Sequence, residues 1–283
     1  MVLRGKFHLS NLSILSWNIH GVFGNVNGFR YCKLKSPNFW NVIRNVKLFS
    51  LIETHHVSTE IDQIQIDGFK CFNNCRKKKP GPGRNSGGLA VYVCKSLSQG
   101  VTKLPASGSE NILIKLNKTF FGLKSDIVVC FSYCVPENSS YQLREQLDVF
   151  GDLEVKLGNI GPDIDKICLG DFNSRVGLKL DYIPAEDNTD IPVPRDIYQP
   201  DTVGALPRRN MDPNTNKYGD NLIDLCKSVP LRICNGRVLG DILGCNTSYS
   251  YYGQSCVDLC MVSPRLYNDV KTILCWGSRS HIV

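Results

Sequence analysis

The 283-residue chain has no run approaching the roughly 18 uninterrupted apolar residues of a membrane-spanning helix. Its start, Met1-Val2-Leu3-Arg4-Gly5-Lys6, has no secretory apolar stretch either. Neither membrane spanning nor secretion is indicated, and the expected compartment is intracellular, with a nuclear site of action. Internal repeats are absent. Three C-x3-C spacings occur (Cys71/Cys75, Cys130/Cys134, Cys256/Cys260), but no second cysteine-histidine cluster pairs with them, which argues against zinc. The thirteen cysteines are odd in number and lie mostly in apolar runs such as Val128-Val129-Cys130-Phe131, as reduced thiols packed in a core do. Acidic residues are in deficit, 26 against 33 Lys and Arg, and the net charge of +7 suits a polyanionic partner without demanding one. With 42% hydrophobic residues, global disorder is excluded, and the length fits one large α/β domain or two small ones.

Strand-like runs recur at 12–17, 47–52, 89–93, 112–116, 126–132, 166–169, 255–262 and 271–276. The clearest helix begins at Ser139, where Ser139 and Gln142 make a capping box. Leu143, Leu147, Phe150, Leu153 and Leu157 then line one face as far as Gly158. A second helix is expected over Tyr218 to Ser228 around Leu222, Ile223 and Leu225, and a short one near Asn38 to Asn45. Strands outnumber helices and do not alternate strictly with them, which favours a layered mixed-sheet fold over a doubly wound parallel sheet.

Two stretches lack periodicity. Residues 178–217 hold six of the fourteen prolines and read as a functional surface loop or a disordered insertion. Residues 70–84 contain Arg76-Lys77-Lys78-Lys79 followed by Pro80-Gly81-Pro82-Gly83, either a solvated hairpin loop or a contact to a phosphate backbone.

The run Lys166-Ile167-Cys168-Leu169-Gly170 delivers Asp171, with Asn173 two positions on, at the carboxyl end of a strand, where α/β proteins place chemistry. In extended chain both side chains face one way and Phe172 turns into the core. Two readings stand: convergence on one phosphate or water, or the capping of a turn.

Five strand-end motifs follow in order: LSWNIHG at 15–21, LIETHH at 51–56, SYCVPENS at 132–139, LGDFNSR at 169–175 and GQSCVDLCMVS at 253–263, with SRSHIV closing the chain. Together they resemble the endonuclease/exonuclease/phosphatase superfamily, and most closely the apurinic-endonuclease-like domain of non-LTR retrotransposons. The string GDNLIDLCKSVPLRICNGR at 219–237 is also similar to such domains.

The resemblance implies an α/β four-layer sandwich, two packed mixed β-sheets flanked by helices, as a single domain over 1–283 that lacks its last strand. It implies hydrolysis of a DNA phosphodiester by a magnesium-assisted water, with manganese as a substitute cation. The nick leaves a 3′-hydroxyl that primes reverse transcription, so a reverse transcriptase downstream in the parent polyprotein is the implied partner, together with the DNA substrate and no membrane. Glu53 would hold the metal, Asn18 would support that carboxylate or the phosphate, and Asp171 would orient or deprotonate water. Asn173 and Tyr133 would hydrogen-bond the phosphoryl oxygens. Asp258 would orient His281, 23 positions later, to stabilise the transition state. His20 is a candidate phosphate or DNA contact, whereas His55 and His56 read as ordinary hydrogen-bonding residues.

Three features depart from the family pattern. Ser280 stands where an Asp that contributes to the metal site is usual, Val135 replaces the first proline of Tyr-x-Pro-Pro and should loosen the loop after Tyr133, and a final strand is expected beyond Val283. Two other readings remain: a phosphatase or phospholipase of the same superfamily, and a nucleic-acid-binding remnant disabled at Ser280.

Overall fold

A computed structural model describes residues 2–7, 10–76, 85–184, 203–251 and 253–275, with side chains from residue 12 onward. Its strands in chain order begin with β1 (Val2–Phe7), β2 (Ser10–Asn18), β3 (Phe23–Val26), β4 (Phe29–Cys32), β5 (Leu48–Ile52), β6 (Phe69–Asn74), β7 (Leu89–Cys94) and β8 (Val101–Lys103). They continue with β9 (Asn111–Leu116), β10 (Ile127–Tyr133), β11 (Asp165–Asp171), β12 (Arg232–Ile233), β13 (Ser248–Ser250), β14 (Gly253–Ser255), β15 (Asp258–Val262) and β16 (Val270–Leu274). Two six-stranded sheets result, ordered β16-β1-β2-β5-β7-β6 and β12-β15-β11-β10-β9-β8. Each is mixed, because β2 runs parallel to β5 and β10 parallel to β11 while the other pairings are antiparallel.

The period of two along a strand explains why the sheets stack. In β5 and β7, Leu48, Ile52, Leu89, Val91 and Val93 point into one core with Ile112, Ile114, Val129 and Phe131 of the second sheet. The alternate residues, Phe49, Leu51, Ala90 and Tyr92, point outward against Phe39 and Ile43 of α1 (Pro37–Ile43). Residues lying between strands of both sheets are therefore buried on both faces, each large side chain contributing about 2 kcal/mol. After α2 (Lys118–Phe121), the far face of the second sheet is covered by α4 (Val149–Gly158) and α5 (Lys217–Ser228), where Phe150 meets Tyr218 edge to face. Helix, sheet, sheet, helix is the four-layer sandwich.

Several expectations are revised. The single helix over 139–158 is two, α3 (Ser140–Glu145) and α4, because Gln146 takes a left-handed φ of 48° and Asp148 restarts the chain by accepting from Gly151 N at 3.0 Å. Ser139 caps α3 through Gln142 N at 3.2 Å, but Gln142 reaches back to Asn138 N, and Leu143 is 62% exposed instead of sharing the buried face. The run 255–262 is divided between the β13–β14 hairpin and β15. Val135 is buried, and Cys134 N next to it donates to Asp171 O at 2.8 Å. A further short helix, α6 (Pro264–Tyr267), precedes β16.

The described part of 178–217 is scaffold. Buried Arg208 donates to the carbonyls of Gly177 and Lys179, and Asp212 accepts from Arg175 at 2.8 and 2.6 Å and from Cys256 N at 3.2 Å. Beside it, buried Asp181 takes a two-pronged bond from Arg237, at 2.7 Å to each oxygen, and a third from Ile233 N at 2.6 Å. All thirteen cysteines are free thiols.

Candidate active site

Strand register brings the carboxyl ends together. Parallel pairing puts Asn18 opposite Ile52, so Glu53 follows immediately beside it. In the second sheet Tyr133 pairs with Asp171 and Asp171 with Asp258, a row of three polar groups across β10, β11 and β15. Two contacts then cross between the sheets: Asn18 Nδ2 donates to Asp171 Oδ2 at 3.3 Å, and Tyr133 Oη donates to Glu53 Oε1 at 2.5 Å.

The backbone at this junction is strained and clamped. Glu53, His55, His20 and Asn173 all have left-handed φ, of 54°, 56°, 51° and 48°. Each such residue costs about 1–3 kcal/mol and persists only where its surroundings over-determine it. Here Gly21 N and Val22 N donate to the carbonyls of Glu53 and Thr54 from one side, while Thr54 N and His55 N donate to Gly88 and Gly87 from the other. The strain turns Glu53 inward, where Oε2 meets His20 Nδ1 at 2.7 Å and His55 Nε2 lies at 3.7 Å.

Electrostatics divides the acids. Burial raises the Glu53 carboxyl, but hydrogen bonds from His20, His55 and Tyr133 outweigh it and hold Glu53 well below the usual carboxylate range. Burial pushes Asp171 well above that range, and the charges of Asp258 and Glu53 push it further. Asp258 is likewise raised by burial and by Glu53, against a bond from Thr247. The Tyr133 phenol is raised by burial and by Glu53, so it stays a proton donor.

These oxygen donors suit a hard divalent cation, and the Asp171 and Asp258 carboxylates, both raised by burial and by the charge of Glu53, are the charge such a cation would neutralise. Among the described residues no three His, Cys, Asp or Glu side chains form a complete cage. A cation here would rely on one or two carboxylates with water and phosphate, the manner usual for magnesium.

Other expected residues are engaged differently from the expectation or lie outside the described residues. Asn173 is not in extended chain with Asp171: its left-handed turn lets Asn173 N donate to Asp171 Oδ1 at 3.0 Å, and its amide is committed to Cys134 O at 2.7 Å. His20, 81% exposed at its side chain, spends Nδ1 on Glu53. Arg76 is no free phosphate contact: it grips buried Glu110 at 2.9 and 2.5 Å and stacks 3.7 Å above the Tyr141 ring. Lys77, Lys78, Lys79, Ser280 and His281 lie outside the described residues.

Sequence reasoning missed Glu110, Asn216 and Thr247. Asn216 caps α5 through Gly219 N at 2.8 Å and donates to Asn173 O at 3.0 Å, and Thr247 accepts from Asp258 N at 3.0 Å. Only the cap had a local signal, an Asn ahead of the apolar positions of α5.

No protein-family model matches the chain, and no curated protein matches it. Solved structures do. The endonuclease domain of TRAS1, a telomere-specific non-LTR retrotransposon, is 13% identical over 82% of this chain and 79% of its own, with a TM-score of 0.47. The AP endonuclease LMAP of Leishmania major is 13% identical over 94% of this chain and 86% of its own, with a TM-score of 0.57. The 3′ phosphatase NExo of Neisseria, bound to a product DNA hairpin, is 16% identical over 90% and 88%, with a TM-score of 0.52. The latter two share this chain's four-layer α/β sandwich fold.

Proposed function

We propose that this chain is a divalent-metal-dependent phosphodiesterase that nicks DNA and leaves a 3′-hydroxyl. The observation that carries the reading is the pair of inter-sheet contacts, Asn18 to Asp171 and Tyr133 to Glu53, which gather acids from both sheets at one end of the sandwich.

A divalent cation, magnesium or manganese, would be held at Glu53 with Asn18 alongside, and supplies charge neutralisation for the phosphoryl oxygens. Asp171 takes the proton of the attacking water as the water oxygen bonds to phosphorus, and the bond from phosphorus to the 3′-oxygen breaks, that oxygen taking a proton from solvent to become the 3′-hydroxyl. A carboxylate destabilised by burial and by Asp258 is the stronger base for that transfer. Tyr133, kept protonated, can donate to the phosphate as charge builds there once its one hydrogen turns away from Glu53. Asn173 must first release Cys134 to do the same. Asp258 orients His281 in this reading, and Ser280 is the weaker ligand in place of the usual carboxylate.

The 219–237 string supports a retroelement origin, in which the nick primes a downstream reverse transcriptase in the nucleus. The test is supercoiled plasmid with magnesium, an Asp171→Ala variant and a phosphoinositide substrate run in parallel. Nicking that disappears in the variant supports the proposal, phosphate released from lipid points to a phosphatase or phospholipase, and DNA binding without turnover to a disabled remnant. Ser280→Asp should raise the nicking rate at limiting magnesium and leave it unchanged at saturation. Equal rates across a magnesium titration would refute that role for position 280.

A further inference from the structure

We propose that the β3–β4 hairpin is a base-stacking finger that receives unpaired nucleobases beside the scissile phosphate, a step that rests on the nucleic-acid reading above. Asn27 and Gly28, with φ of 51° and 84°, form the tight turn that fits a two-residue hairpin. Pairing of Gly24 with Tyr31 and of Val26 with Phe29 puts these residues on one face, where Val26, Phe29 and Tyr31 are 57%, 79% and 44% exposed. The opposite face is occupied, with Arg30 lying over the Phe23 ring and paired with Glu60.

The aromatic face is built. A Cβ at Gly24 would stand 2.5 Å from the Tyr31 ring, so that ring lies flat on bare backbone and is held out toward solvent. An aromatic fixed in advance loses little freedom when a base stacks on it. The hairpin also springs from the site itself: Gly21 N and Val22 N bond the carbonyls of Glu53 and Thr54, and Lys33 N closes the base on Val22 O. Four residues of strand place the tip roughly 13 Å from that base.

Charge names the occupant. No Asp or Glu precedes Glu53, whereas seven Lys and Arg do (Arg4, Lys6, Arg30, Lys33, Lys35, Arg44 and Lys47), so the segment carries the whole net charge of +7 and the rest of the chain is balanced at 26 of each sign. Exposed Lys35 follows the hairpin directly. Arg30 is held by Glu60 and Lys33 Nζ donates to the carbonyls of Ile19 and His20, which leaves exposed Lys35 at the hairpin's base to meet phosphate. An exposed aromatic face beside that lysine, on a segment without acids, suits a nucleic-acid strand better than an apolar protein groove, because stacking takes the bases while the positive segment takes the phosphates.

The experiment compares the full chain with a Phe29→Ala/Tyr31→Ser double variant and with Phe29→Ser alone, whose ring packs little in the free protein. Anisotropy of a labelled single-stranded oligonucleotide in EDTA should show about 10-fold weaker binding in the double variant. The slope of affinity against salt should not change, since no phosphate contact is removed. Hydrolysis of bis(p-nitrophenyl) phosphate, too small to reach the tip, should equal that of the parent. Unchanged affinity in both variants overturns the proposal, as does loss of a self-association that the parent shows in sedimentation. If the parent binds no oligonucleotide at all, the nucleic-acid reading itself fails, while hydrolysis of the small diester still reports on the site.

Discussion

Asp171→Asn should lower the rate of plasmid nicking by about 10²- to 10⁴-fold, the usual loss on removing a positioned general base. The substitution keeps the shape of the side chain, but an amide offers one oxygen where the carboxylate offered two: Asn173 N keeps its acceptor at Oδ1, whereas Asn18 Nδ2, which donates to Oδ2, would face an NH2 group. What disappears is the negative charge and the ability to accept a proton. The removed charge is also one that its surroundings oppose, since burial, Asp258 and Glu53 all raise the Asp171 carboxyl. Relief of that charge offsets the one hydrogen bond lost, so the metal-free variant should stay within about 1 kcal/mol of the parent near neutral pH while being far slower. A carboxylate raised in the folded state binds more protons there than in the unfolded chain, so its ionisation costs stability as pH climbs through its folded value. Paired measurements of rate and thermal unfolding check this. A rate within threefold of the parent would remove Asp171 from the chemistry, and a variant that melts much lower would make it a structural residue.

The largest effect on stability is expected at Asp181, far from the chemistry. Asp181→Ala leaves the Arg237 guanidinium, itself almost wholly buried, without its two-pronged partner and strips Ile233 N of its acceptor. Buried Arg208 and Arg232 lie close by, and the Asp181 charge also favours the charged form of Arg208. Breaking one side of a buried pair costs about 3–5 kcal/mol, which lowers the melting temperature by about 6–20 °C in a domain of this size. The exposed Lys179–Asp220 pair gives the contrast, and Asp220→Ala should shift stability by no more than about 1 kcal/mol. Thermal unfolding of both variants decides the matter, and similar melting points would mean that the buried guanidiniums find other acceptors.

Legibility followed the range of the interaction. Val128 to Phe131 reveals itself through an unbroken apolar run and Leu48 to Ile52 through one interrupted only by Ser50, whose buried hydroxyl is satisfied by Ser16, since burial on both faces leaves little room for polar alternates. The strand-end order carried the sandwich through a resemblance, which periodicity could not have done. The β3–β4 hairpin was readable in principle, because Asn27-Gly28 is the strongest short signal for such a turn, but its flanking residues lack the alternation of a half-buried strand. The break at Gln146 had a weaker sign, Asp148 as a second cap, and an apolar series that continued across it. Partners 34 apart, as with Arg76 and Glu110, or 153 apart, as with Asn18 and Asp171, are products of sheet stacking. No local spacing encodes them. The same distance effect hid the true disposition of Asn173, whose amide is claimed by a carbonyl of the neighbouring strand.

Eleven of the thirteen free thiols divide by sheet, with half-buried Cys245 and Cys275 outside both groups. Cys32, Cys71, Cys75 and Cys94, on the first sheet or its margins, are only half buried, whereas Cys130, Cys134, Cys168, Cys226, Cys234, Cys256 and Cys260, in or against the second, are buried. The molecule thus contains its own alkylation clock. Brief pulses of a maleimide during denaturation, read by peptide mass, would tag the two halves at separate times if they come apart independently, and together if the sandwich melts as one cooperative unit.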